Sequence, residues 1–206
     1  MKLDVEGAGV VRFWNADGEE ISACGNGTRC VGWLLMQSSG KDRVELETKA
    51  GRLIATRAGE RLVSVDMGPA VVGEPVDVDG ASATCVDMGN PHAVVQVPSV
   101  AGLGELKTSR LDLNVEYVED LSPTALAMRV HERGVGETRS CGTGACALVV
   151  AQVLRSGEGR GEPYDVDVPG GRLVVTWRED GHVLLSGPAV LVAEGDVRDD
   201  WLEGRG

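Results

Sequence analysis

Two stretches far apart in the chain carry a thiol on nearly the same word. Residues 22–30 read SACGNGTRC and residues 139–147 read RSCGTGACA. In each, a cysteine (Cys24, Cys141) precedes a Gly-X-Gly turn and an apolar run, VGWLLMQSSG or LVVAQVLRSG, that ends in Ser-Gly. The glycines suit a tight turn, the run is long enough for three or four helical turns, and Ser-Gly is a helix stop. Each cysteine is therefore expected at a helix N-terminus, whose positive end favours a thiolate. Two such ends facing each other form a pocket of backbone N–H groups suited to a carboxylate. A carbon attached to that carboxylate has one cysteine on each face. A thiolate can then remove a proton from one side while a thiol returns one from the other, inverting the centre. Donors aimed at the carboxylate stabilise the enolate-like charge that develops.

Cys30, Cys85 and Cys146 read as small buried hydrophobes. A zinc site is disfavoured, because the Cys24/Cys30 and Cys141/Cys146 spacings are wider than a C-x2-C knuckle. Neither a metal nor a cofactor is expected: the four lysines (2, 41, 49, 107) have no catalytic setting, and no phosphate or dinucleotide motif is present.

The elements that must position these thiols are themselves duplicated. GRLIAT at 51–56 matches GRLVVT at 171–176, and MGPAVV at 67–72 matches SGPAVL at 186–191, each in the same order after its cysteine. Such self-similarity sets architecture. The later blocks are β-branched runs split by Gly and charged turns, which predicts antiparallel hairpins. A helix on an antiparallel sheet, used twice, is an α+β plan with two pseudo-symmetric domains. The first repeat is expected over 1–69, completed by 197–206, and the second over 70–196. The second copy begins near CVDMGNPHAVVQV at 85–97, whereas only 23 residues precede Cys24, so the first copy is expected to be short at its N-terminus relative to the chain's own symmetry.

With 32 acidic against 20 basic residues and a net charge of −12, nucleic acid and anionic membranes are not expected partners. No apolar stretch approaches the roughly 20 residues of a bilayer span, and the start lacks a secretory signal core. Five scattered cysteines fit reduced thiols in the cytoplasm.

FWNADGEEISACGNGTRC, DMGNPHAVV and HERGVGETRSCGTGACA together resemble the diaminopimelate epimerases, pyridoxal-independent enzymes of lysine and peptidoglycan biosynthesis. The resemblance spans essentially the whole chain. It implies interconversion of LL- and meso-2,6-diaminopimelate by two cysteines, on two domains that each curl a mostly antiparallel sheet around a central helix. It further implies no cofactor and, often, a homodimer. Carried over by motif, Cys24 and Cys141 are the catalytic pair, and His92 and Glu132 assist the proton transfers. Asn15, Gly25, Asn26, Asn90, Asn114, Glu132, Arg133, Gly142 and Thr143 bind substrate, with Arg133 suited to hold a carboxylate bidentately. The family's opening strand and GND-type turn have no match here. A proline or hydroxyproline racemase, or an inactive truncated homologue that only binds, remain open alternatives.

Overall fold

The computed structural model describes residues 2–6, 9–14, 18, 20–22 and 24–196. Asn15 and the segment 197–206 lie outside them. In the first half come β1 (Lys2–Glu6), β2 (Val10–Trp14), β3 (Glu20–Ile21), α1 (Gly25–Ser39), β4 (Arg43–Thr48), β5 (Gly51–Arg57) and β6 (Leu62–Pro69). Next are β7 (Val71–Val72), β8 (Val76–Val78), β9 (Ala81–Asp87) and β10 (Pro91–Gln96). The remainder is β11 (Asn114–Ser122), β12 (Ala125–Glu132), β13 (Gly136–Thr138), α2 (Gly142–Ser156), β14 (Pro163–Val168), β15 (Gly171–Trp177) and β16 (His182–Pro188). The architecture is α+β. No described helix is long and apolar enough to cross a membrane.

The repeat extends further than the matched words. β1 pairs antiparallel with β2 as β11 does with β12, and short β3 and β13 fold back on β2 and β12. Each half then passes through a helix and returns parallel to the strand it left: β2 beside β4 across α1, β12 beside β14 across α2. Both helices are thus crossover connections, which parallel neighbours require. The hairpins that follow share one register, with Thr48 opposite Gly51 and Val168 opposite Gly171. β9 and β10 have no counterpart among the described residues before α1.

The two halves meet along one seam. β6 and β16 pair antiparallel, with Val65 opposite Leu185, so the described strands run as one continuous ladder from β1 to β7. Parallel pairing at β2/β4, β10/β11 and β12/β14 makes this sheet more mixed than hairpins alone predict. The cause is the helical crossovers and the long 97–113 connection, which carry the chain back to the starting edge before the next strand.

Alternation fixes which faces of the hairpins turn inward. Leu53 and Ala55 on β5, Val63 and Val65 on β6, Leu173 and Val175 on β15, and Val183 and Leu185 on β16 are all buried. Residues Gly142 to Val153 of α2 are buried without interruption, the pattern of a helix enclosed on all sides. α1 buries seven of its fifteen residues, and Leu34 on its outer face is exposed. Full burial of a side chain such as Leu148 contributes about 1.5–3 kcal/mol. Both helices stop in the same way: Gly40 and Gly157 adopt left-handed φ of 69° and 74°, and their N–H groups cap the carbonyls of Met36 and Val153.

Candidate active site

Cys24 and Cys141 are the N-cap residues of α1 and α2. Helices usually take Ser, Thr, Asp or Asn there, because a side-chain acceptor satisfies a free N–H of the first turn. Here sulfur fills the role: Cys24 Sγ accepts from the Gly27 N–H and Cys141 Sγ from the Gly144 N–H, each at 3.4 Å. Each thiol therefore sits in the positive potential of a helix end.

The helix ends touch. A Cβ placed on Gly142 would lie 3.2 Å from Gly25 Cα and 3.3 Å from the Asn26 nitrogen, and one on Gly25 would lie 3.4 Å from Gly142 Cα. Only residues without side chains let the two backbones approach this closely. The Asn26 amide spans the same gap, donating to the Ser140 carbonyl at 3.2 Å and to its hydroxyl at 3.4 Å. Arg29, buried one turn further along α1, donates to Asn26 Oδ1 at 2.9 Å and holds that amide in place. Arg29 Nε and Nη1 have no partner among the described residues.

Around α2 the sheet delivers further polar groups. His92 is the second residue of β10, Asn114 begins β11 beside it in parallel register, and Glu132 ends β12, so all three reach the same end of the sheet. The Asn114 amide ties two turns together, donating to the Pro91 carbonyl at 2.9 Å and accepting from the Arg133 N–H at 3.0 Å. Asn90 Oδ1 lies 3.1 Å from His92 Nε2. Thr143 Oγ1 lies 3.4 Å from Cys141 Sγ. Thr138 donates to Glu132 Oε1. The exposed Arg133 side chain makes no hydrogen bond or ion pair with another described residue, so its guanidinium is open to an incoming anion.

Electrostatics separate the two thiols. Burial pushes both above the ordinary thiol range, outweighing the helix N–H groups, and Glu132 raises both further. One carboxylate, Glu132, thus acts on both sulfurs. Cys141 is the more deeply buried and also feels Glu116, whereas Cys24 feels Arg29, which favours its thiolate. Glu132 is itself raised, first by burial. Of the remaining cysteines, Cys146 is wholly buried with its thiol pushed up to about 12, Cys30 is exposed and Cys85 is half-buried. The exposed Cys30 departs from the buried position expected of it, because it falls on the outer face of α1.

One residue of this cluster escapes the motifs. Glu116, fully buried, lies 2.7 Å from His92 Nδ1 through its Oε1. The period of a strand puts it on the same face as Asn114, and a carboxylate at an inward position of NVEYV is the signal that marks it. Donor atoms of His92, Glu116 and Cys141 lie within 4.8 Å of one another. These are metal-binding types, but a 2.7 Å contact leaves room for a shared proton only. A cation with ligands at about 2.0–2.3 Å would have to part the pair.

The structure thus gathers Cys24, Gly25, Asn26, Cys141, Gly142 and Thr143 at the helix ends, and His92, Asn90, Asn114, Glu132 and Arg133 around them. A family model described as diaminopimelate epimerase matches residues 3–73 and 84–192. The chain belongs to the diaminopimelate epimerase family. The diaminopimelate epimerase of Phenylobacterium zucineum (strain HLK1) is 48% identical over 215 residues, covering 91% of this chain and 77% of the relative. That of Caulobacter vibrioides (strain NA1000 / CB15N) is 42% identical, covering 93% and 77%. The fold recurs in a solved PhzF-family phenazine biosynthesis protein from Enterococcus faecalis, with TM-score 0.71, 18% identity and coverage of 95% and 81%. It recurs too in a hydroxyproline epimerase from Agrobacterium vitis, with TM-score 0.68, 15% identity and coverage of 89% and 69%. At such identities these two likenesses show a shared fold alone.

Proposed function

We propose that the chain is a cofactor-independent epimerase that interconverts LL- and meso-2,6-diaminopimelate. The observation that carries this reading is the contact between two helix ends, each capped by a cysteine. It brings the starts of two helices, each with its own thiol cap, into contact, so that their N–H groups serve one site. The substrate α-carboxylate docks on the backbone N–H groups around Gly25–Asn26 and Gly142–Thr143, which places the α-carbon between Cys24 and Cys141. Cys24, the thiol with a buried cation near it, is the one that acts as base toward the α-proton once substrate is bound. Cys141, buried beside two carboxylates, is the thiol that returns one to the opposite face. In the reverse direction the roles exchange. Charge that develops on the carboxylate is met by donors already aimed at it, so little reorganisation is needed.

Glu132, with His92, assists the two transfers, while Arg133 holds the distal carboxylate and Asn15, Asn90 and Asn114 complete the site. Relatives at 42–48% identity that bear this enzyme's name support diaminopimelate over a cyclic imino acid. As a division of labour we place the first unit at 1–69 with 197–206 and the second at 70–196, supported by the matching element order on either side of the β6/β16 seam. The same reading makes the protein a cytoplasmic homodimer in lysine and peptidoglycan-precursor synthesis, consistent with five free cysteines.

The test is incubation of reduced protein with LL-diaminopimelate in deuterated water. Deuterium enters the α-position and the meso isomer accumulates. A folded, reduced sample that exchanges no α-proton refutes the proposal.

A further inference from the structure

The geometry points to Glu116 as a positioning residue that accepts the Nδ1–H of His92, fixes the ring between Asn90 and Cys141, and confines proton exchange to Nε2. The inference rests on the epimerase reading for its consequence in catalysis, but not for the contact itself.

Three observations carry it. His92 and Glu116 are both fully buried, and their 2.7 Å separation is that of a charge-assisted hydrogen bond. Glu116 makes no other side-chain bond among the described residues, its Oε2 being buried without a partner. A buried carboxylate with one available donor is held in place only if that donor carries its proton, so Nδ1 is the protonated nitrogen. Space for the carboxylate comes from the turn that also caps Cys141. A Cβ on Gly144 would stand 2.5 Å from Glu116 Oε1, while the Gly144 N–H reaches Cys141 Sγ. Glu116 therefore packs against the helix turn that caps the Cys141 thiol.

The chemical consequence concerns the tautomer. With its proton on Nδ1 the ring leaves Nε2 an acceptor, which the Asn90 amide meets by turning its NH2 toward the 3.1 Å contact. Without an acceptor at Nδ1, the imidazole can instead place its single proton on Nε2 and give it to Asn90 Oδ1. The nitrogen facing the site would then have no lone pair to offer. A carboxylate behind an imidazole sets orientation and tautomer in just this way in hydrolytic triads, where loss of the acceptor leaves the geometry intact and still lowers turnover steeply.

The experiment reads the nitrogens directly in the reduced 206-residue chain without substrate. Three histidines, His92, His131 and His182, give the ring 15N signals, and His92→Gln assigns the one of interest. The wild type is expected to show a protonated Nδ1 at His92. In Glu116→Leu that signal moves to the Nε2–H pattern, α-deuterium exchange falls about 100-fold through kcat with KM little changed, and Glu116→Gln lies between them. A wild-type His92 with a bare Nδ1 overturns the inference, and so does a folded Glu116→Leu with unchanged His92 shifts. Should the Leu variant fail to fold, the wild-type spectrum alone decides. A protein that shows the Nδ1 proton yet never turns over diaminopimelate sinks the proposed function and leaves this contact standing.

Discussion

Adding one methyl group to Gly142 tests whether the contact between the helix ends sets the reaction geometry. The new Cβ would meet Gly25 Cα at 3.2 Å, the Asn26 nitrogen at 3.3 Å and Leu185 Cδ2 at 3.0 Å. Carbon atoms rest at about 3.5–4.0 Å, so α1 and α2 must part by roughly 0.3–0.8 Å. Leu185 can turn its methyl aside, whereas the backbone of α1 can only move as a body. Overpacking of this kind destabilises by about 1–3 kcal/mol, and replacing glycine by alanine in a helix restores about 0.5–1 kcal/mol. The net loss is about 0–2.5 kcal/mol, which for a chain of this size lowers Tm by no more than about 10 °C. Activity should suffer more. A misplacement near 1 Å reduces turnover about 100-fold, so a half-ångström gap between two proton donors predicts roughly a tenfold to hundredfold fall in kcat/KM. Gly25→Ala opens the same gap, and the double variant should therefore fall well short of the product of the single effects. Chiral chromatography of the diaminopimelate isomers measures the rate, and thermal melting measures the stability. A Gly142→Ala protein that melts near wild type and turns over within about twofold of it would refute the idea that this contact positions the thiols.

Other perturbations separate the roles of individual groups. Cys24→Ala and Cys141→Ala should each abolish net epimerisation in the isomer assay, while Cys85→Ala, on half-buried β9 and away from the helix ends, leaves kcat nearly unchanged. Because burial raises Cys24 above the usual thiol value, alkylation of the free protein by iodoacetamide at Cys24 should need a higher pH than a free thiol in solution, with Cys141 reacting later still. The stability linkage has the same origin. A thiol raised on folding contributes stability below its unfolded pKa and loses it as pH rises through the folded value, so Tm should decline above pH ~8.5 and decline less in Cys141→Ala. The caps stand one residue from touching backbones, so mild oxidation is expected to bridge the two thiols and inactivate reversibly, with dithiothreitol restoring the rate; full activity in an oxidised sample would argue against that proximity.

Local signals carried the helices and hairpins: a Gly-X-Gly start and a Ser-Gly stop delimit α1 and α2 to the residue, and β-branched runs between turn residues delimit β4 to β6 and β14 to β16. Features that depend on chain return were not legible in the same way. The parallel pairing of β2 with β4 and of β12 with β14 needs the helix to lie back on the sheet, which no local window reports. The Asn26 side chain illustrates the limit at the site. Its position in the motif was plain, but its bond to Ser140 joins residues remote in sequence. Glu116 was readable in principle, two residues from Asn114 on one strand face, yet a lone acidic residue in a half-polar strand is ordinarily solvated. Only packing against α2 shows that it is dry.

Counting along the two helices from their caps, Arg29 on α1 and Cys146 on α2 occupy the same place, five residues past Cys24 and Cys141. Two identical subunits related by an exact twofold axis would be obliged to repeat every residue at both ends of such a site. A single chain carrying both halves is under no such obligation. It can set a cation behind one sulfur and a neutral thiol behind the other, while a pair of carboxylates approaches only from the second half. Inversion asks the two faces of one carbon to act as opposites, and a broken symmetry allows one framework to supply both.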